Sequence, residues 1–239
     1  MKIFRNLKRH SLFWPVKLFL KRLVGRELWL QKELELKTKI LGEWEFYPDE
    51  FKANGIVYSL GVGDCLDFDL QLIESHDAVV FAFDPTPYSV EWVERQVIPE
   101  NLNFLPWAVA GSDGELTMAQ RVNKRGRKSE IMWTEVSTNI ESSEVIQVPA
   151  YTIATIMRKL QHKKIDLMKI DVEGSEYEIV EDMIRSQIKP QQLLIEFHHR
   201  FKNKSKIMTI NAIKHLQENG YKIFSISETG REVGFIHTE

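Results

Sequence analysis

The chain is nearly without cysteine. Its 239 residues contain one, Cys65, so no intramolecular disulfide can form and no zinc-type ligand set exists. A reducing, cytoplasmic setting is the simplest expectation. Long apolar runs are also missing. The most apolar early stretch, residues 12–24, is interrupted by Lys17, Lys21 and Arg22 and is too short to span a bilayer. It also lacks the unbroken apolar region and small-residue cleavage site of a secretory leader. There is no phosphate-binding glycine loop with lysine and no nucleophile elbow. The dinucleotide glycine fingerprint is incomplete, because the position of its third glycine, counted from Gly61, holds Leu66.

Charge is the next informative quantity. The net charge is -2, but it is unevenly spread. Residues 1–40 carry eleven Lys/Arg and three Asp/Glu, a net of +8, while the rest carries 21 basic and 31 acidic side chains. The acidic remainder argues against a nucleic-acid partner. The basic end predicts contact with an anionic surface. Leu12, Val16, Phe19, Leu20, Leu23 and Val24 fall near one helical face, with the cations outside it. Two readings follow. In one, this helix lies on the cytoplasmic face of a membrane as a peripheral contact. In the other, it packs on the domain or in a homodimer interface, the more frequent fate of an apolar stripe. We expect residues 1–45 to be a helical appendage and residues 46–239 the main domain.

From Ile56 onward short apolar runs alternate with helical patterns. Strands are expected at 56–60, 78–83, 102–108, 165–170 and 193–197, with helices at 66–74, 87–96, 152–160, 175–184 and 207–218. Residues 221–226 and 232–237 read as a closing antiparallel hairpin at one edge. Segments 115–119 and 144–148 are expected to pair around a long basic loop, 121–143, read as a lid or acceptor-binding loop, or else as merely solvated. The fold class is therefore α/β, with a mostly parallel sheet covered on both faces.

Such sheets bind ligands beyond the carboxyl ends of their strands. Leu60, Gly61, Val62, Gly63 and Asp64 lie there after the first strand. Phe83 and Asp84 follow the second, Trp107 and Ala108 the third, Asp171 and Glu173 the fourth, and Glu196, His198 and His199 the fifth. Glycines let a backbone approach a ligand, and Asp84, at the end of the second strand, suits ribose hydroxyls. Each residue has a structural alternative. On that alternative Asp64 is a helix cap, Asp84 a turn residue, Asp171 and Glu173 favourable charges near a helix start, and the histidines satisfied loop residues. Asp171, Glu173 and His198 are also a conceivable oxygen-and-imidazole set for a divalent cation, although no tight metal motif requires one.

The run Val57-Tyr58-Ser59-Leu60-Gly61-Val62-Gly63-Asp64 resembles the cofactor motif of the FkbM family of S-adenosylmethionine-dependent methyltransferases, as does Phe81-Ala82-Phe83-Asp84-Pro85-Thr86-Pro87. The strongest match is residues 166–178, Asp-Leu-Met-Lys-Ile-Asp-Val-Glu-Gly-Ser-Glu-Tyr-Glu. Residues 193–201 are similar to the fifth-strand segment of one branch. The resemblance covers about residues 55–237 and implies a seven-stranded class I methyltransferase fold of Rossmann type. It implies S-adenosylmethionine as cofactor, with Gly61 and Gly63 bordering its methionine part, Asp84 its ribose, and Trp107 and Ala108 its adenine. Ser59-Leu60 and Gly63 depart from the commoner pattern, where an acid and an asparagine stand. The implied reaction is in-line methyl transfer to the oxygen of a saccharide or secondary-metabolite hydroxyl. Asp171, Glu173 and His198 are then the candidate general bases. Two other readings stay open: a non-catalytic module that binds cofactor or partner, and a nicotinamide-dependent oxidoreductase.

Overall fold

The computed structural model describes residues 14–122, 128–135, 145–201 and 204–238. Helix α1 (Trp14–Leu23) precedes a small hairpin, β1 (Lys39–Leu41) and β2 (Trp44–Phe46). The main alternation follows. It begins with β3 (Ile56–Leu60), α2 (Asp67–His76), β4 (Val79–Phe83), α3 (Pro87–Glu94), β5 (Leu102–Leu105) and β6 (Ala108–Val109). It continues with β7 (Gly114–Val122), β8 (Lys128–Glu135), β9 (Val145–Tyr151), α4 (Ile153–Leu160) and β10 (Leu167–Ile170). The last elements are α5 (Glu176–Arg185), β11 (Gln192–Glu196), α6 (Lys206–Glu218), β12 (Tyr221–Ile226) and β13 (Glu232–His237).

A seven-stranded sheet runs in the order β12-β13-β11-β10-β3-β4-β5. β3, β4, β5, β10 and β11 are parallel, and β13 is antiparallel to both its neighbours. The antiparallel strand therefore lies one place inside the edge expected for it, with β12 outermost. Side chains leave a strand on alternate faces, and the central strands bury both. Tyr58 and Leu60 of β3 join Met168 and Ile170 of β10 in one core cluster, under α4, α5 and α6. Val57 and Leu167 point the other way, into a cluster with Leu72 of α2 and with Trp44 and Phe46 of β2. Burial on both faces explains why these strands read as continuous apolar runs.

Four expectations need correction. The 102–108 strand breaks at Pro106, which cannot donate to the ladder, and β6 instead joins a second sheet ordered β6-β9-β7-β8. In that sheet β7 and β9 pair antiparallel as expected, Glu115 opposite Pro149 and Ala119 opposite Val145. The basic segment between them is not one irregular loop, because it contains β8, paired with β7. The rest of the expected lid, 123–127 and 136–143, lies outside the described residues. The domain boundary expected after residue 45 runs through β2, whose Trp44 and Phe46 are core. Finally, the apolar stripe of α1 does not pack on the domain. Leu18 does so, at 7% exposure, while Val16, Phe19, Leu20, Leu23 and Val24 face outward. Leu12 lies outside the described residues.

Candidate active site

The glycine turn forms where β3 runs out between β4 and β10. The Gly61 N–H donates to Phe83 O at 2.9 Å, and the Asp171 N–H donates to Leu60 O at 2.9 Å. The chain then reverses through two left-handed glycines, φ +86° at Gly61 and +58° at Gly63. A Cβ on Gly61 would lie 1.8 Å from the Asp171 carbonyl oxygen, so backbone clearance as well as φ requires glycine.

Asp84 holds this turn. Its Oδ2 accepts from Val62 N at 3.0 Å, Gly63 N at 2.9 Å and Ser89 Oγ at 2.9 Å. Its Oδ1 accepts from Thr86 N at 2.9 Å and Thr86 Oγ1 at 2.6 Å. The carboxylate is 6% exposed, and five protein donors fill its acceptor capacity. In this conformation Asp84 acts on the pocket through the shape of the turn that it holds. The helix cap envisaged for Asp64 is not its position, since Leu66 is the N-cap of α2.

A single cavity is lined by Leu60, Gly61, Val62, Gly63, Asp64, Phe83, Asp84, Trp107 and Ala108, together with Trp44, Asp69, Trp133, Lys169, Asp171 and Glu173. Every expected cofactor-contacting residue lines it. Trp107 is fixed by Tyr151, edge to face at 5.2 Å, and by the tilted Phe83 ring at 6.3 Å. Lys169 is a contributor that periodicity alone did not reveal. It occupies a core-strand position, is 7% exposed, donates from Nζ to Gly61 O at 2.9 Å, and lies 5.5 Å from the centre of the Trp44 ring. A charge on so buried a strand is costly without a partner, and that cost was the available signal. Asp69 is 1% exposed. Burial pushes its carboxyl above the usual range, opposed by Lys169 and Ser59.

At the other end of the cavity Asp171 and Glu173 meet His198. The imidazole Nε2 lies 3.8 Å from Asp171 Oδ1, 3.9 Å from Glu173 Oε2 and 3.8 Å from Glu196 Oε1, and Nδ1 lies 3.5 Å from Glu176 Oε1. Glu173 sits in the left-handed region at φ 52° and Gly174 follows at φ 118°, a sharp turn of the kind found at functional sites. Glu176, fully buried, pins that turn. It accepts from Gly174 N at 2.9 Å through Oε2 and from His198 N at 2.7 Å through Oε1. Burial opposes its ionisation, but the His198 contacts outweigh burial and hold its carboxyl below the ordinary value.

Burial alone would lower the His198 pKa. Glu176, Glu196 and Glu173 overcome it and raise the group to about 9. At neutral pH this favours an imidazolium among the four carboxylates. Glu196 moves in the same direction. Burial, Asp171 and Glu232 push it up to about 7 against the pull of His198 and Arg231, whose guanidinium donates to Glu196 Oε1 at 2.6 Å. Asp171, Glu196 and His198 offer ligand atoms within 4.8 Å of one another, so the cation-capable set includes Glu196 where Glu173 was expected. His199 does not join the group. Its Nε2 faces Glu27 Oε2 at 3.3 Å, and burial holds its pKa down.

Several solved structures are similar in outline. Fibrillarin from Methanococcus jannaschii, a pre-rRNA processing protein, shares 11% identity over 88% of this chain and 86% of its own, with a TM-score of 0.47. Aeropyrum pernix fibrillarin bound to S-adenosyl-L-methionine shares 10% over 79% of this chain and 68% of its own, TM-score 0.43. A putative S-adenosylmethionine-dependent methyltransferase from Listeria monocytogenes shares 10% over 78% and 92%, TM-score 0.41. At this distance they carry no argument about substrate. No protein in the curated set matches the chain significantly. The profile of the methyltransferase FkbM domain matches residues 53–223, the span that holds the glycine turn, the Asp84 clamp, Lys169 and the His198 cluster. With most of its length matched, the chain belongs to the methyltransferase FkbM family and is an S-adenosylmethionine-dependent methyltransferase.

Proposed function

We propose that the protein transfers a methyl group to a hydroxyl oxygen, on a saccharide or secondary-metabolite acceptor, with Asp171 as the general base. One observation carries this reading. Asp171 lines the cavity with its backbone directly against Gly61 and its carboxylate 3.8 Å from His198 Nε2; Glu173 also lines the cavity near His198 but does not abut the glycine turn.

The residues of the cavity suit the cofactor. The Gly61–Gly63 turn borders the cavity, and glycine at 61 lets that turn pass close to the Asp171 backbone, where a Cβ would strike the carbonyl oxygen. Lys169 puts a cation at its floor for the carboxylate of the methionine part, and Trp107 offers an aromatic face for the adenine. Asp84 keeps the turn open by binding the Val62 and Gly63 N–H groups. When bound, S-adenosylmethionine supplies an electrophilic methyl group. A neutral hydroxyl is a weak nucleophile, so the chain's own task is to place it and remove its proton. Asp171 is one-third exposed at the cavity wall, available to a hydroxyl, and its backbone is held by Leu60 O. His198 Nε2 lies 3.8 Å from the Asp171 Oδ1.

The test is methyl transfer from radiolabelled cofactor to a panel of sugar and alcohol acceptors, with wild type and Asp171→Asn. Transfer by wild type and its near loss in Asp171→Asn, with cofactor affinity kept, supports the reading. Labelling of nitrogen acceptors alone, or equal turnover by Asp171→Asn, overturns it.

A further inference from the structure

Helix α1 presents an apolar face to solvent. Val16, Phe19, Leu20, Leu23 and Val24 run from 50% exposed at Phe19 to 68% at Val24, and Trp29 adds 58%. Isolated exposed apolar residues are ordinary, but a contiguous set on one helix marks a contact surface. The face is built and held. Leu18 and Arg22 pack over Gly230 in the turn between β12 and β13, and Arg22 Nε donates to Leu28 O at 2.8 Å. Phe19 meets Trp29 edge to face at 5.8 Å, and Arg22 lies 5.4 Å from the centre of the Trp29 ring. The helix ends at Gly25, φ +68°, whose carbonyl accepts from Lys206 Nζ. Further exposed apolar side chains, Ile207 and Ile210, follow on α6.

Cations surround this face. Lys17, Lys21, Arg22 and Arg26 belong to α1 and its C-terminal turn, and no acid occurs between residues 14 and 26. Partial burial and then Arg200, Lys17, Arg231 and Arg26 hold the Lys21 ammonium below the usual lysine range. Like charges are thus gathered here, although the bulk of the chain is acidic. No described helix is long and apolar enough to cross a membrane. A short helix with protruding apolar and aromatic side chains and flanking cations matches the chemistry of an anionic lipid interface. Its apolar residues enter the acyl boundary while its cations meet phosphate headgroups.

We infer that α1 docks the protein on an anionic bilayer surface. The position of α1 gives this docking a consequence. The turn beneath it carries Arg231, which grips Glu196 of the His198 cluster, and Glu27, just beyond α1, binds His199 and Arg200. The helix is therefore tied to the segments that carry the His198 cluster.

The test is co-sedimentation of the full chain with vesicles of phosphatidylcholine alone or doped with phosphatidylglycerol. The protein should pellet with the anionic vesicles, stay in solution with the neutral ones, and be released by high salt. Leu20→Glu/Leu23→Glu should lower anionic-vesicle binding by about tenfold or more, with an unchanged circular-dichroism melt. Should that variant melt early, Leu20→Gln/Leu23→Gln makes the same comparison. Wild type that stays in solution with both vesicles overturns the inference, as does a folded variant that binds as wild type does. A wild-type dimer that either variant converts to monomer also overturns it, because the face is then an interface between copies.

Discussion

The two ends of the cavity are built on opposite principles. At the glycine turn the Asp84 carboxylate and the backbone of the turn are hydrogen-bonded. Asp84 accepts five hydrogen bonds, Lys169 caps the Gly61 carbonyl, and backbone bonds clasp the loop between β4 and β10. At the His198 end four carboxylates converge on one imidazole, with contacts of 3.5–3.9 Å. Asp171, Glu173 and Glu196 face Nε2, at distances longer than hydrogen bonds. The first end is set by the shape of a hydrogen-bonded turn. The second is set by charge, and its protonation states depend on one another. A site that must hold a cofactor in fixed position and then move a proton needs both kinds of construction.

The largest effect that would sharpen this contrast is on turnover. Asp171→Asn should slow methyl transfer by about 10²–10⁴-fold, the usual worth of a general base. Cofactor affinity measured by calorimetry should change by no more than about threefold. Equal losses of rate and affinity would place Asp171 in the cradle instead. The second effect is on shape. Gly61→Ala drives a Cβ against the Asp171 carbonyl oxygen in a left-handed backbone and should cost about 3 kcal/mol or more of stability, read as a lowered midpoint in a urea melt, together with loss of cofactor binding.

The third effect concerns pH. The surrounding glutamates raise His198 from the ordinary histidine value of 6.5 to about 9 in the fold. Its protonation therefore stabilises the fold, fully below about pH 6.5 and not at all above about pH 9. Glu196, raised from 4.5 to about 7, has the same sign, because ionising it in the fold costs stability as pH rises through 7. Wild type should lose about 3 kcal/mol on His198 deprotonation alone. His198→Gln should be less stable at pH 7 and nearly flat between pH 7.5 and 9.5 (a range of about 2 units around the titration). A wild-type stability that rises over that range would contradict the assignment. The smallest effect belongs to the clamp. Asp84→Ala leaves the Val62 and Gly63 N–H groups without their acceptor, at about 2 kcal/mol. Cofactor affinity should fall by about 10- to 30-fold with the fold intact, and unchanged affinity would remove Asp84 from the account.

The same contrast explains what the sequence made legible. The glycine turn, Asp84 and Asp171 lie at strand ends, and the topology of a parallel sheet brings strand ends together without further information. The core strands were visible as apolar runs because both their faces are buried. The His198 pKa was not visible. It depends on Glu176 and Glu196, and Glu196 in turn on Arg231, partners brought together by the packing of separate elements. Lys169 stood inside the signature run, yet only the structure shows its Nζ on the Gly61 carbonyl. β8 was hidden by its charged composition, because cross-strand pairing with β7 overrides local preference. The face of α1 was read from the apolar stripe, whereas Leu18, outside that stripe, makes the packing contact.

The central claim is that this cavity holds S-adenosylmethionine through the Asp84-clamped turn. Calorimetric titration of the wild-type protein and Asp84→Ala with S-adenosylmethionine and S-adenosylhomocysteine, with NAD as control, tests it most directly. The account predicts binding of the first two, weaker binding by the variant, and no binding of NAD. Preferential binding of NAD, or equal affinity in wild type and variant, would contradict it.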